Sequence, residues 1–227
     1  MYLKKVYIIY KMIFYILKSF AYTILCDSAL RLLFGNKSRW FQLHAIMNAY
    51  NVYCILPDVL KIYMDPKQGY SIIENDYTSY DIMTLHIYHL IFFSNLKFYD
   101  YFHHILFIGF GVIPNIYFIK SNGKYLIYIA LCGIPGIIEY TSLSFCKHGL
   151  IYNHTQKQIN YYLYLFFRYP LCVCGVVYNI LGQYNNLIND WYPMTVYFNC
   201  LALLNSLIFT HLTIKSYLIS IQNTFYR

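Results

Sequence analysis

The sequence predicts an all-α protein, a polytopic transmembrane helix bundle with about seven spans and an expected range of roughly six to eight. Its 227 residues are 59% hydrophobic and only 11% charged, whereas soluble domains are about 45–50% apolar and about 25% charged. A soluble fold this poor in charged residues could not cover its surface, but lipid tails solvate apolar side chains. Apolar runs of membrane-spanning length, separated by turn residues, support the same prediction.

Seven apolar segments predict the helices in order: residues 6–34, 41–64, 82–94, 98–119, 125–145, 159–181 and 192–221. The third is short unless the residues before it join the helix. Turn-forming residues at 35–38, 65–69, 121–123 and 185–190 separate several of these segments. Residues 1–40 form an N-terminal transmembrane helix and loop, and residues 41–222 form a multi-helix membrane domain, with one domain overall as the simplest organisation. The first segment lacks a cleavage site and is expected to be retained.

Charge and cysteine usage limit the partners. The net charge is +8, but the cations are scattered between apolar runs and form no basic stripe. We therefore predict membrane lipids as partners and no nucleic acid. The seven cysteines lie mostly in apolar segments without a CxxC pair, which favours reduced, buried thiols. We predict no cofactor and no set of metal ligands.

Three prolines lie inside successive predicted helices, at Pro114, Pro135 and Pro170. A proline inside a helix removes a hydrogen bond and usually kinks the helix. Three kinked neighbours favour a cavity within the bundle.

The densest group of polar residues lies around the turn at 94–97. On the following helix, Asp100 shares a face with His103 and His104, three and four residues later. Upstream, His86 and His89 share a face of the preceding helix, and an antiparallel hairpin brings the four histidines to one level. A carboxylate can orient an imidazole for general base catalysis, so Asp100, His103 and His104 are predicted catalytic residues. A metal site and interfacial polar residues are the alternatives.

Glu139 and Arg168 lie deep within the fifth and sixth segments. Isolated charges in hydrocarbon are costly and normally pair or line a cavity. We predict a Glu139–Arg168 pair that lines the cavity beside His86 and His89. A purely structural link between two helices is the alternative.

The segment Tyr99-Asp-Tyr-Phe-His-His-Ile-Leu resembles the paired-histidine segment of the TLC family, which includes the ceramide synthases. The resemblance extends over about residues 40–220. It implies a lipid-handling protein of the endoplasmic reticulum or a related membrane, in which His103 and His104 belong to an acyl-transfer site with acyl-CoA as co-substrate. Ceramide synthases carry a later His-Asp and a further Asp; here that stretch has Glu139 as its acid and no histidine. The resemblance therefore implies a divergent member.

Two other function classes stay open. The run from Leu85 to Leu90 resembles the His-x-x-His-His box of fatty-acid elongases, although Leu90 replaces the final histidine. Di-iron lipid oxidoreductases need about eight histidines in repeated boxes. This chain has eight histidines in total, but His44 and His211 lie in no box. A non-enzymatic lipid transporter or sensor is the third class.

Overall fold

The computed structural model describes residues 2–73, 76–94 and 96–225. For residues 2–9, 99 and 224–225 it describes the backbone only. The described residues form seven α-helical segments, a short 3₁₀ helix at Pro66–Tyr70 and no strand. Asn95, in the predicted turn at 94–97, lies outside the described residues. Four segments are continuous helices: α1 Tyr2–Phe34, α2 Arg39–Met64, α3 Tyr77–Phe92 and α7 Tyr192–Phe225.

The other three segments are interrupted. Segment α4 comprises Phe98–His103, a π-helical stretch His104–Val112, and Ile113–Phe118. Segment α5 comprises Lys124–Leu131 and Ile134–His148. Segment α6 comprises Asn153–Leu163, a π-helical stretch Tyr164–Arg168, and Tyr169–Tyr184.

Each predicted proline kink coincides with one of these interruptions. Pro114 and Pro170 lie in the first turn after the two π-helical stretches, and Pro135 follows the break at Cys132 and Gly133. Proline lacks an N–H and its ring clashes with the carbonyl four residues earlier, which disfavours a regular α-helical turn before it, although α2 continues through Pro57. A wider turn with bonds to the fifth residue back relieves this clash, as between the Ile113 amide and the Ile108 carbonyl. Irregular helix at all three prolines is thus confirmed.

Within the part of the chain that the structure describes, five helices are long and apolar enough to cross a membrane: Tyr10–Phe34, Asp100–Phe118, Lys124–His148, Asn153–Tyr184 and Tyr192–Asn223. The chain is therefore an all-helical integral membrane protein. The predicted count of about seven spans is not confirmed, because α2 and α3 fall outside this set. Segment α3 begins at Tyr77, so the residues before the predicted segment do join the helix, yet its 16 residues rise only about 24 Å. Segment α2 is longer but buries His44, Asn48 and Asn51, which lower its hydropathy.

A buried carboxylate joins the first three helices. The Nε of Arg39 lies 2.6 Å from Oδ1 of Asp27, and the hydroxyl of Tyr88 donates to Oδ2 at 2.6 Å. Asp27 belongs to α1, Arg39 begins α2, and Tyr88 lies on α3 between His86 and His89. Because the Asp27 carboxylate accepts from both Arg39 and Tyr88, it fixes the position of α3 along its axis relative to α1 and α2.

Candidate functional site

A cavity of about 260 Å³ lies between the helices, and the polar residues singled out in the sequence line it. They come from α3 to α6 and are His86, His89, Asp100, His103, His104, Glu139 and Arg168. The structure thus brings all of them to one place inside the bundle, while their chemical roles remain predictions. We call this space the histidine cavity.

A fifth histidine, His44 of α2, completes the imidazole cluster. Its ring centroid lies 5.7 Å from that of His86 and 5.9 Å from that of His89. The centroids of His89 and His104 are 4.8 Å apart, and those of His86 and His104 are 5.1 Å apart. His103 joins through its ring contact with His104, at 5.4 Å between centroids. The cluster therefore draws on α2, α3 and α4.

Two of these imidazoles form an ordered chain. Nδ1 of His104 lies 2.5 Å from the backbone carbonyl of Asp100, and Nδ1 of His89 lies 3.1 Å from Nε2 of His104. A carbonyl oxygen only accepts, so Nδ1 of His104 carries the hydrogen. In the neutral ring, Nε2 of His104 then accepts from Nδ1–H of His89. This leaves the lone pair of Nε2 of His89 available to a ligand.

His86 is oriented in a similar way. Its Nδ1 donates to the backbone carbonyl of Ile82 at 2.7 Å, so its Nε2 also keeps a lone pair in the neutral ring. Two further nitrogens, Nε2 of His44 and Nδ1 of His103, are buried without a hydrogen-bond partner. Buried polar atoms are normally satisfied, so a polar ligand or ordered water is expected to meet them.

The predicted contact between the Asp100 carboxylate and a histidine is wrong. The carboxylate instead accepts from the backbone N–H of Lys97 at 2.8 Å, while only the main-chain carbonyl of Asp100 reaches His104. The first N–H groups of a helix have no intrahelical acceptor, and a carboxylate in the first turn supplies one. This local bond outcompetes a contact four residues along the helix. Asp100 therefore positions His104 through its backbone.

This correction can be tested on stability. Asp100→Ala removes the acceptor for the Lys97 amide and is expected to lower the free energy of unfolding by about 1 kcal/mol. Asp100→Asn keeps an acceptor oxygen and should lose less. Thermal unfolding of both variants in the same detergent provides the comparison. Equal losses in both variants would contradict the capping role.

The predicted Glu139–Arg168 ion pair is also wrong as a direct contact, because a tyrosine stands between the two side chains. Tyr164 donates to Oε2 of Glu139 at 2.5 Å, and Nη1 of Arg168 donates to the Tyr164 hydroxyl at 3.3 Å. Nη2 of Arg168 donates to Asn205 of α7 at 2.9 Å, and its Nε is buried without a partner. The guanidinium also lies 4.7 Å from the centroid of the Tyr164 ring. Hydrogen bonds thus connect Glu139 of α5 through Tyr164 and Arg168 of α6 to Asn205 of α7.

The second π-helical stretch explains this geometry. It covers Tyr164 to Arg168, so both residues project from a widened turn into the histidine cavity. π-Helical turns are rare and occur frequently at functional sites. The first π-helical stretch likewise begins at His104. Both irregular stretches therefore form part of the cavity wall.

Several cavity residues were missed in the sequence. His44, Asn48, Trp40, Tyr164 and Asn205 all line the cavity. The ring of Trp40 packs against His89 and His44, with centroids 3.2 Å and 3.3 Å away. The spacing of His44 and Asn48, one helical turn apart in an apolar helix, was an available signal, as was that of Tyr164 and Arg168.

Within the described residues, no group of three or more histidine, cysteine or acidic side chains is placed to hold a metal ion. Comparison with known proteins adds no family assignment: no protein-family model, curated protein or solved structure matches this chain. The resemblance to the TLC family therefore depends on the sequence alone, and the structure shows an all-helical membrane protein with a histidine-lined cavity.

Proposed function

We propose that this chain is a TLC-like lipid enzyme that transfers an acyl group from acyl-CoA to the hydroxyl or amine of a membrane lipid. The observation that carries the proposal is the ordered chain from the Asp100 carbonyl through His104 to His89. It leaves one oriented lone pair at a cavity enclosed by membrane helices. General base catalysis needs an oriented lone pair of this kind within reach of the proton to be removed.

The proposed step uses Nε2 of His89 as the base. It takes the proton from the lipid hydroxyl or amine as that oxygen or nitrogen attacks the thioester carbonyl carbon. The new ester or amide bond forms as the carbon–sulfur bond breaks. The thiolate of coenzyme A leaves and receives the proton from the His89 imidazolium. No oxidant or reductant is required.

Arg168 and Tyr164 supply the polar groups across the cavity from the imidazoles. The buried Nε of Arg168 lacks a partner, and a guanidinium N–H stabilises developing negative charge on a carbonyl oxygen. The same proposal includes seven spans, with α2 and α3 crossing the membrane beside the five apolar helices, and residence in the endoplasmic reticulum or a related membrane. The resemblance described above supports the location.

A non-enzymatic lipid transporter or sensor is the second candidate, and one observation favours it. Among the described side chains, no carboxylate bonds to an imidazole of the cavity: the partners are the carbonyls of Asp100, Ile82 and Trp40, and another histidine. A base without a carboxylate partner lacks the usual source of added basicity. The same cavity would then bind a lipid headgroup without turnover.

The test uses the purified full-length protein in phosphatidylcholine nanodiscs. Palmitoyl-CoA is added with either a long-chain amino alcohol or a monoacylglycerol, and mass spectrometry follows the amide or ester product. We expect product with the wild type and with His211→Ala, a histidine substitution outside the cavity lining. Absence of product with every acceptor, together with a lipid that co-purifies with the wild type and is lost from cavity variants, would favour the second candidate.

A further inference from the structure

A second cavity, of about 300 Å³, lies between α3 and α4. Seven of the residues that line it are apolar: Ile87, Leu90, Ile105, Ile108, Gly109, Phe110 and Ile113. Ile105 and Phe110 are more than half exposed on the outer surface of α4. Since α4 belongs to a helix able to span the membrane, this outer surface faces the hydrocarbon. We call this feature the α3–α4 groove.

The groove and the histidine cavity have a common wall. His86, His104 and Ile108 line both spaces. The two imidazoles are therefore the only polar side chains among the described residues that line the groove, and they stand at its inner end. An apolar molecule in the groove would thus have one end beside the histidine cluster.

The backbone of α4 accounts for the groove. Residues His104–Val112 form the first π-helical stretch, in which each turn is wider than in an α-helix. At Gly109, a Cβ atom added to the backbone would meet no other atom within 4 Å. The space beside Gly109 is therefore open, and because Gly109 lines the groove, a larger side chain there would extend into it.

We propose that the α3–α4 groove binds an acyl chain of a membrane lipid, with the polar end of that lipid towards His86 and His104, at the wall shared with the histidine cavity. The walls of the groove offer no polar partner beyond the two imidazoles, which excludes a peptide or a hydrated headgroup. Its outer side opens where lipid tails are the surrounding solvent. Its inner end meets the histidine cluster, where the proposed function places the hydroxyl or amine of the acceptor lipid, and this placement of the polar end rests on the proposed function.

Shape, rather than hydrophobic transfer, distinguishes this site from the general lipid-facing surface. Lipid tails are as apolar as the groove, so a chain gains there by close packing rather than by leaving water. The site is expected to prefer a straight or gently curved chain that fits between the two helices.

Photo-crosslinking tests the groove directly. The wild-type protein in nanodiscs is irradiated with phosphatidylcholine carrying a diazirine in the middle of one acyl chain, and labelled peptides are identified by mass spectrometry. We expect labelling concentrated on residues 105–113 and 87–90. Gly109→Leu should decrease it by about fivefold, the effect of losing packing worth about 1 kcal/mol, and Gly109→Ala should decrease it less.

Val177→Leu is the matched control, since Val177 lies on α6 and is about half exposed. It adds bulk to a lipid-facing helix without touching the groove, and we expect no change in the labelling of residues 105–113. Labelling spread evenly over all lipid-facing helices, or labelling of residues 105–113 that Gly109→Leu leaves intact, would overturn the proposal. The groove and the proposed function fail separately: concentrated labelling without acyl transfer retains the binding site and removes the enzyme.

Discussion

Replacing His89 by alanine is expected to lower acyl transfer by about 10²–10⁴-fold, the range that a positioned general base contributes. The physical reason is the free Nε2 lone pair that the bond to His104 leaves at the cavity. The turnover rate at saturating palmitoyl-CoA and acceptor, measured in nanodiscs, gives the effect. His211→Ala controls for the loss of an imidazole elsewhere in the chain.

The pattern across the cluster distinguishes a base from a positioning residue. Both ring nitrogens of His104 are hydrogen-bonded within the protein. His104→Ala should therefore lower the rate indirectly, because His89 loses the bond that orients it. His104→Gln supplies one donor and one acceptor in a single amide and should recover part of the lost rate. The same substitution should leave the shape of the pH–rate profile intact, because the titrating base is still His89.

A different ranking would reassign the chemistry. His86 also keeps an oriented Nε2, held by the carbonyl of Ile82. A large loss in His86→Ala with a small loss in His89→Ala would move the base to His86. Wild-type rates in both variants would contradict a base at either of these two imidazoles.

The sequence predicted which side chains line the cavity because helical periodicity and buried charge are local signals. His86 and His89 share a face by spacing alone, and so do His103 and Asp100. Glu139 and Arg168 were recognisable because isolated charges in hydrocarbon are costly. These signals predict that side chains point inward, and the structure brings all of them to one cavity.

The partners of these side chains were not predictable in the same way. Whether Asp100 bonds to an imidazole or to the Lys97 amide depends on a helix start set by residues 94–97. Whether Glu139 meets Arg168 depends on Tyr164, which enters the space between them from a π-helical turn. Helical spacing assumes a regular helix, so it fails where prolines widen the turns.

The number of spans shows a third limit. A hydropathy window treats every residue as facing lipid, whereas α2 buries His44, Asn48 and Asn51 against other helices. Its outer face carries exposed Ile46 and Leu60. A helix that lines a polar cavity inside a membrane therefore has a low average hydropathy whether or not it spans.

The buried ion pair between Asp76 and Lys124 is expected to give the largest effect on stability. Nζ of Lys124 lies 2.5 Å from Oδ2 of Asp76, and the lysine side chain is 0% exposed. The same ammonium donates to the Ile119 carbonyl at 2.9 Å. Removing one partner of a buried pair leaves a charge without compensation, so Lys124→Met should lower the free energy of unfolding by about 3–5 kcal/mol.

The charges around the pair point in the same direction. In the loop before Lys124, burial lowers the pKa of Lys120, and the nearby Lys124 ammonium lowers it further. The carboxylate of Asp76 opposes both effects on Lys120. Loss of the Asp76 charge would therefore leave two neighbouring cations without their common counter-ion.

A double-mutant cycle with a matched surface pair tests this expectation. Unfolding in mixed micelles is followed for Lys124→Met, Asp76→Asn and the double variant, beside Lys61→Met. Lys61 lies 3.0 Å from Asp58 with its side chain 63% exposed, so its loss should cost less than about 1 kcal/mol. The double variant should recover most of the single losses, since no buried charge remains.

Loss of the Asp76–Lys124 pair should also affect the histidine cavity, because of the helices on which the two residues lie. Asp76 also accepts from the Ser79 amide at the start of α3, 3.3 Å away, and Lys124 begins α5. The pair therefore joins the helix that carries His86 and His89 to the one that carries Glu139. Lys124→Met should lose acyl transfer at a lower temperature than the wild type, in parallel with unfolding. His89→Ala should lose acyl transfer at every temperature, with a much smaller change in the unfolding midpoint. If Lys124→Met has the same unfolding midpoint as Lys61→Met, the Asp76–Lys124 pair does not hold these helices together.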